Sequence, residues 1–552
     1  MRSAAFIVAL GLTLALTQSG CSPESAAAGR SRDVLLVTVD TLTADRVGCY
    51  GDPAARTPEM DRLARRGVQV RDAVSPAPLT LPSHATLLTG VDPPVHGIRD
   101  NGLGRLAGSF RTLPERMPRS IRRGAFVGAY PLDSRFNLVQ GFHVYDDTFP
   151  RTASFYEKPQ RRAREVFARA AEWMEKEGKA PSRFAWVHVF DPHTPYDAPE
   201  PWVLPAATDA YRAEVAYTDR ELRRFLQRVE RTFGAPAVVL TSDHGESLGR
   251  HGENTHSFFI YDATQRVPCI VSGEEASPRI ETRPRGLTDV ARTVLDLCDV
   301  GAGDLPGRSL LEAGGGDDGV YVETRHTELF YGWASLYGYR TARWKYVRAP
   351  RPELYDLAAD PGEAHNVLAQ RPDVVAELSA RLDAVLADEV PVEEKIDDTV
   401  LEKLQGLGYL ATITPGAVKG SRRDPKDHVA AVMDLFEGEK AFVAGDYAAS
   451  AGHLRSALDG DPELDAARSY LAGALLELGD HEGCIREGTE YLRRSEVNRG
   501  PVLLTVARAC LASGRPEEAV PLLEEAAERM PRSGAAAKLL RSARGMLEAA
   551  PG

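Results

Sequence analysis

Four continuous apolar runs constrain this 552-residue chain more than any other feature. They are DVLLVTV just before Asp40, the stretch from Ala125 to Ala129, FAWVHVF from Phe184 to Phe190, and AVVLT from Ala237 to Thr241. A strand that is apolar on both faces must be covered on both, as happens in a parallel sheet with helices above and below. Helical patterns separate the runs, for instance Pro58 to Arg66 and Tyr211 to Thr232. The alternation predicts an α/β fold with a mostly parallel sheet sandwiched by helices. Ligands of such sheets sit beyond the carboxyl ends of the strands, and Asp40 and Asp243 both stand at that edge.

The length implies two or three domains. From Gly319 the texture turns to short β-like pieces followed by a helix from Val374 to Ala387, a smaller α+β subdomain. The expected organisation is 32–315 for the α/β domain, 316–390 for the subdomain, 391–425 for a linker and 426–549 for a helical array. In that array Gly445, Gly479 and Gly514 recur at intervals of 34 and 35 residues, each closing one helical pattern and opening the next. This period and grammar resemble the tetratricopeptide repeat (TPR), which implies an all-α solenoid, capped by Ala535 to Ala549, with a surface for a protein or peptide partner.

At the amino end, Arg2 precedes an apolar run from Ala4 to Leu16, then small residues and Cys21. Residues 1–21 read as a secretory signal, too short to span a bilayer, and their order resembles a bacterial lipoprotein signal. That implies a cell-envelope protein, periplasmic or an outer-membrane lipoprotein, touching the membrane only through a lipid anchor at Cys21. Gln18 stands where an aliphatic residue is usual. The other five cysteines are scattered, with no disulfide or zinc spacing. A net charge of −12 with no basic stripe excludes nucleic acid as the main ligand.

SPAPLTLPSHATLLTG, from Ser75 to Gly90, places Thr80 at the mouth of a helix that has Pro82 in its first turn and Gly90 at its end. An anionic ester at Thr80 would meet free backbone N–H groups and the positive end of the dipole; the plainer reading is a capped surface helix. In TSDHGESLGRHGENTHS, Asp243 and His244 follow a buried strand directly and can give two ligands to one divalent cation, while glycines let the backbone close in. With Asp40 and Thr80 they make a mixed oxygen and nitrogen shell.

VTVDTLTADRVGCYG, TPEMDRLARRGV, SHATLLTG, HGIRDNG, FDPHTPY, LTSDHGESLGRHG and ELYDLAADPGE together resemble the sulfatase family, a branch of the alkaline phosphatase superfamily, in the family's own order. The resemblance implies a metal-dependent hydrolase of small sulfate or phosphate esters. It makes Asp40, Asp243 and His244 metal ligands, with Thr41 where a second aspartate is common and Thr80 where the family places its nucleophile. It sets His193 against the ester's anionic oxygens and Asn101 in the pocket, and His256 where many members have a lysine. The family signature, cysteine or serine followed by x-Pro-x-Arg, here reads Thr80, Leu81, Pro82, Ser83, His84. Threonine is no substrate for formylglycine formation, and His84 replaces the arginine. The family's lysine and histidine near GKWHLG are absent from VGAYPLD.

A plain threonine points to phosphoryl transfer, on a phosphodiester or phosphonate monoester, with Thr80 activated by the cation. His256 or His251 is the expected proton donor to the leaving group, and His84, His251 and Asn101 are the expected substrate contacts. One ion is expected, manganese or zinc before calcium or magnesium, because an imidazole is a ligand. Asp191, His193, His251 and His256 are the candidates for a second. Alternation along FAWVHVF buries His188, and Lys345 reads as structural. The alternatives are a sulfuric ester hydrolase lacking formylglycine, a phosphoethanolamine-type transferase, and an inactive core acting as a TPR binding protein.

Overall fold

A computed structural model describes residues 33–149, 160–178, 180, 182–199, 209–301, 303–314, 319–391, 423–496, 498–531 and 533–549. The signal, the Ile396 to Tyr409 part of the linker and most of the loop from Arg151 to Gln160 lie outside them. The large sheet holds β1 (Asp33–Val39), β2 (Val68–Val74), β3 (Ile121–Val127), β4 (Val144–Asp146), β5 (Ser182–Val189), β6 (Ala237–Thr241), β7 (Arg266–Ser272), β8 (Arg279–Glu281) and β9 (Arg285–Gly286). Its order is β4-β3-β5-β1-β6-β7-β2-β8, with β9 beside β2. Only β7 runs against its neighbours β6 and β2. The four apolar runs are β1, β3, β5 and β6, the central parallel strands.

Side-chain alternation along β1 feeds two cores. Val34 and Leu36 pack with α2 (Thr80–Thr89) and α5 (Leu287–Leu297). Leu35, Val37 and Val39 pack with α1 (Pro58–Arg65), α3 (Ala163–Glu177) and α4 (Ala210–Phe233). The capped-surface reading of α2 is overturned, because all ten of its residues are buried. Its end is as the sequence predicts: Gly90 has φ +77°, a left-handed conformation that a glycine adopts without steric cost.

The second sheet is antiparallel, β10 (Val320–Thr324), β11 (Leu336–Arg340), β12 (Trp344–Arg348) and β13 (Glu353–Asp356). One face carries Tyr321, Tyr346 and Leu354 against α6 (Pro372–Leu386). Among the described residues seven helices follow: α7 (Pro425–Val443), α8 (Tyr447–Gly460), α9 (Asp465–Glu477), α10 (His481–Arg494), α11 (Arg499–Ala512), α12 (Pro516–Arg529) and α13 (Gly534–Ala549). Gly445, Gly479 and Gly514 have φ of +79°, +79° and +72°, each closing the first helix of a pair. Asp446 and Asp480 then cap the next helix by accepting the N–H of Ala449 and Gly483.

Candidate active site

The carboxyl ends of three adjacent strands, β5, β1 and β6, meet α2. Asp40 follows β1, and its N–H bonds to Val189 O at 2.9 Å. Ser242 locks the turn after β6 by donating to His244 O and accepting the Leu42 N–H. Asp243 Oδ1 is occupied, accepting from the N–H groups of His244 at 2.9 Å and Thr41 at 3.3 Å. His244 Nδ1–H donates to Gly245 O at 3.0 Å, which leaves the Nε2 lone pair pointing the other way.

Three buried ligand atoms then face one another without hydrogen-bond partners: Asp40 Oδ1, Asp243 Oδ2 and His244 Nε2. Nε2 lies 3.7 Å from Asp40 Oδ1 and 3.6 Å from Asp243 Oδ2. That is too long for hydrogen bonds, but ligands about 2.1 Å from one tetrahedral ion stand roughly 3.4 Å apart. The residues therefore fit a small divalent cation. Thr41 Oγ1 is also buried and unpartnered, and Thr41 sits at φ +52°, a costly conformation for a β-branched residue.

Burial pushes Asp40 up to about 7. A raised carboxyl stabilises the fold below the ordinary carboxylate range and loses that contribution as pH rises through about 7. A cation takes the proton's place, so its stabilising effect must grow over the same window. The melting-temperature difference between protein with manganese or zinc and protein with chelator is expected to widen from pH 5 to 7 and then level. A difference independent of pH would refute this account of the site.

Thr80 opens α2, fully buried, with Oγ1 3.5 Å from Asp40 Oδ2. His188 Nε2 lies 3.2 Å from that same Oδ2, while its Nδ1 accepts the Gly128 N–H, so Nε2–H is the donor to Asp40. The alternation argument does bury His188, but aims it at Asp40. A Cβ on Gly128 would stand 3.1 Å from His188 O and Phe190 N, so a glycine fits that close approach.

The sequence sets His84 at the ester, whereas in the structure both of its ring nitrogens bond within the protein. Nδ1–H donates to Thr80 O at 2.8 Å, and Nε2 meets Thr38 Oγ1, which also accepts from Trp186. Burial holds His84 down at about 3, a neutral imidazole. His84, His188 and Asp243 also form a compact cluster, yet a second cation there would have to displace these hydrogen bonds.

Asn101 Oδ1 accepts the Leu81 N–H at 2.8 Å, pinning the start of α2, and its buried Nδ2 has no hydrogen-bond partner. His193 stacks on Phe190 and meets the His256 ring edge-on at 5.1 Å; His256 lies 4.5 Å from the His244 ring. His256 Nδ1 is 3.1 Å from Glu246 Oε1. Burial lowers His256 to about 3 and lifts Glu246 to about 8, so the pair is uncharged at neutral pH. Nearby, Asp100 and His326 pair at 3.2 Å.

The structure does not bring His251 to this cluster. It stacks on Tyr261 at 3.8 Å and lines a separate cavity of about 310 Å³ with Asp45, Asp262 and Arg340. Asp191 is held by Arg162 at 2.9 Å. Lys345 is fully buried between Asp262 and Glu363, a structural ion pair as its sequence context suggests. The sequence singles out neither Glu246 nor His326, which the structure adds as partners in the site. For Glu246 the signal was its place in SDHGESLG, two residues beyond a proposed ligand.

Residues 32–300 match the family model "Sulfatase". An uncharacterized sulfatase of Escherichia coli, YidJ, is 22% identical over 60% of this chain and 82% of its own length. The choline-sulfatase of Rhizobium meliloti is 30% identical over 30% of this chain and 33% of its own, so the chain spans about a third of that relative. The phosphonate monoester hydrolase of Agrobacterium radiobacter has the same fold, with a TM-score of 0.54 at 21% identity over 65% of this chain and 96% of the hydrolase.

Proposed function

We propose that the part of this chain matching the sulfatase family, with its second sheet, is a metal-dependent hydrolase of small anionic esters in which Thr80 is the nucleophile. The observation that carries the reading is the buried Thr80 hydroxyl beside Asp40, at the rim of three unpartnered ligand atoms. A divalent cation held by Asp40, Asp243 and His244, with Thr41 at hand, supplies Lewis acidity and charge neutralisation there. An imidazole among the donors favours manganese or zinc.

Thr80 Oγ1 forms a bond to phosphorus in line with the leaving oxygen and gives its proton toward Asp40 Oδ2. Asn101 Nδ2 and His193 hold the equatorial oxygens. The leaving oxygen takes a proton from His256 Nε2, and Glu246, whose carboxyl burial lifts above the ordinary carboxylate range, returns one to Nδ1. Water then attacks phosphorus and breaks its bond to Thr80 Oγ1: the water gives a proton to His256, which returns its Nδ1 proton to Glu246, and Asp40 Oδ2 returns the threonine's proton to Oγ1. His188 keeps Oδ2 of Asp40 turned toward Thr80.

A plain hydroxyl favours a phosphodiester or phosphonate monoester, and the fold is one that a phosphonate monoester hydrolase shares. The choline-sulfatase match supports the other reading, a sulfuric ester hydrolase lacking formylglycine. Among the described residues no helix is long and apolar enough to cross a membrane, which weighs against a membrane-embedded phosphoethanolamine-type transferase. The intact ligand cluster weighs against an inactive core. The helix pairs are read as TPR-like repeats for a peptide partner, and Cys21 as the lipid anchor of an envelope protein.

Aryl phosphonates, aryl phosphodiesters and aryl sulfates, offered with manganese or zinc, test the reading. Turnover of a phosphorus ester, with the phosphonyl group of the phosphonate or the monoaryl phosphoryl group of the diester found on the Thr80 peptide by mass spectrometry, is the expected result. Cleavage of the sulfate alone would replace it with the sulfatase reading.

A further inference from the structure

The loop that carries His256 is held in an uphill backbone conformation. Leu248, His251 and Ser257 lie at φ +53°, +56° and +95°, the last directly after His256. Non-glycine residues stay in this region only where surrounding contacts over-determine them. Two sets of contacts come from the catalytic part: Glu253 Oε1 accepts the Phe258 N–H at 2.8 Å, and Thr324 Oγ1 donates to Ser257 O.

The third set comes from the helical region. The Asn254 N–H points at Met433 Sδ of α7 at 3.3 Å, and Phe436, one turn on, meets the Phe258 ring at 6.3 Å. Phe258 in turn packs edge-on against His326 at 5.4 Å. These contacts belong to one continuous apolar core that runs from Val74, Phe258 and Trp333 to Val432, Leu435 and Leu454.

The seat of α7 is fixed at its far end as well. Trp333 Nε1 donates to Asp461 Oδ2 at 3.1 Å, Arg423 pairs with the other oxygen at 2.6 Å, and His428 stacks on the Trp333 ring. Asp461 is 1% exposed, so this polar anchor lies inside the junction. A flexible tether between an enzyme and a binding module would have neither a shared core nor a buried anchor.

We propose that α7 is a working part of the active site, a clamp that seats the loop 247–258 and so sets the position of His256. Met433 and Phe436 are positioning residues that act through that loop, and the helical region thereby governs turnover of the ester site. The effect on turnover rests on the hydrolase reading; the clamp itself does not.

The test uses the full chain. Met433→Ala with Phe436→Ala is expected to speed hydrogen exchange across 247–258 while β1 and β6 stay protected. It should lower kcat by about tenfold or more with KM within about twofold, since small misplacements of a catalytic group weaken the transition state more than binding. Phe436→Tyr with Met433 kept, which preserves both the sulfur facing the Asn254 N–H and the ring against Phe258, should leave both near wild type. Leu523→Ala, in the distant core of α12, should loosen the helical region without changing loop exchange or kcat. If the alanine pair does not fold, Phe436→Leu is read by the same exchange measurement. Unchanged exchange over 247–258, or an equal loss in Leu523→Ala, overturns the clamp. A wild type that cleaves no ester removes the hydrolase reading instead, and exchange still decides the clamp.

Discussion

Thr80→Ala is expected to lower ester turnover by about six orders of magnitude, the size of loss seen when a nucleophile is removed from an otherwise intact site. The fold should survive, because the hydrogen bond that the Thr80 side chain gives Asp40 is long, 3.5 Å, and alanine is a good helix former. Asp40, Asp243 and His244 are untouched, so the metal-dependent gain in melting temperature should persist. Thr80→Ser keeps the hydroxyl and should retain measurable activity. Metal-dependent stabilisation with no turnover is the signature of a lost nucleophile; full activity in Thr80→Ala would mean that another group attacks.

Arg99→Met is expected to destabilise the protein by about 3–5 kcal/mol, the cost of leaving a buried carboxylate without its partner. Arg99 is fully buried in the HGIRDNG loop. Its guanidinium grips Glu323 of β10 through two nitrogens and reaches Glu389 at 2.7 Å. The pair ties the large sheet's loop to the second sheet, and Asn101 follows two residues on, holding the Leu81 N–H. Stability by denaturant titration and kcat should therefore fall together. Arg99→Met with Glu323→Leu should recover part of the stability, because neither charge is then stranded. A single variant as stable as wild type would show that the pair is not desolvated as its burial implies.

The sequence is most legible where the physical cause is local. An apolar run must be covered on both faces, so β1, β3, β5 and β6 could be read directly. Proline in a first turn and glycine at φ +77° bound α2 within the chain itself. The spacing of Gly445, Gly479 and Gly514 is likewise written in φ, since each turn needs a left-handed residue. Asp40 and Asp243 are legible because the carboxyl end of a buried strand is where such sheets bind.

What stayed hidden depends on partners far apart in sequence. His251 and His256 are five residues apart on one loop, and only its left-handed turns send one to Tyr261 and the other to Glu246. His188 reads as apolar filling until β5 pairs with β1 and sets it against Asp40, 148 residues away. His84 looks like a ligand for the ester until Thr38 and Thr80 O take both its nitrogens.

By itself the sequence determined the sheet, the helix that starts at Thr80, the carboxylates at the strand ends and the helix pairs, because backbone geometry and burial pattern act over a few residues. Only the tertiary structure decided which histidines face the site, how Arg99 joins the two sheets and that α7 lies against the His256 loop. Those contacts join distant segments, and their energies depend on burial that no local pattern records.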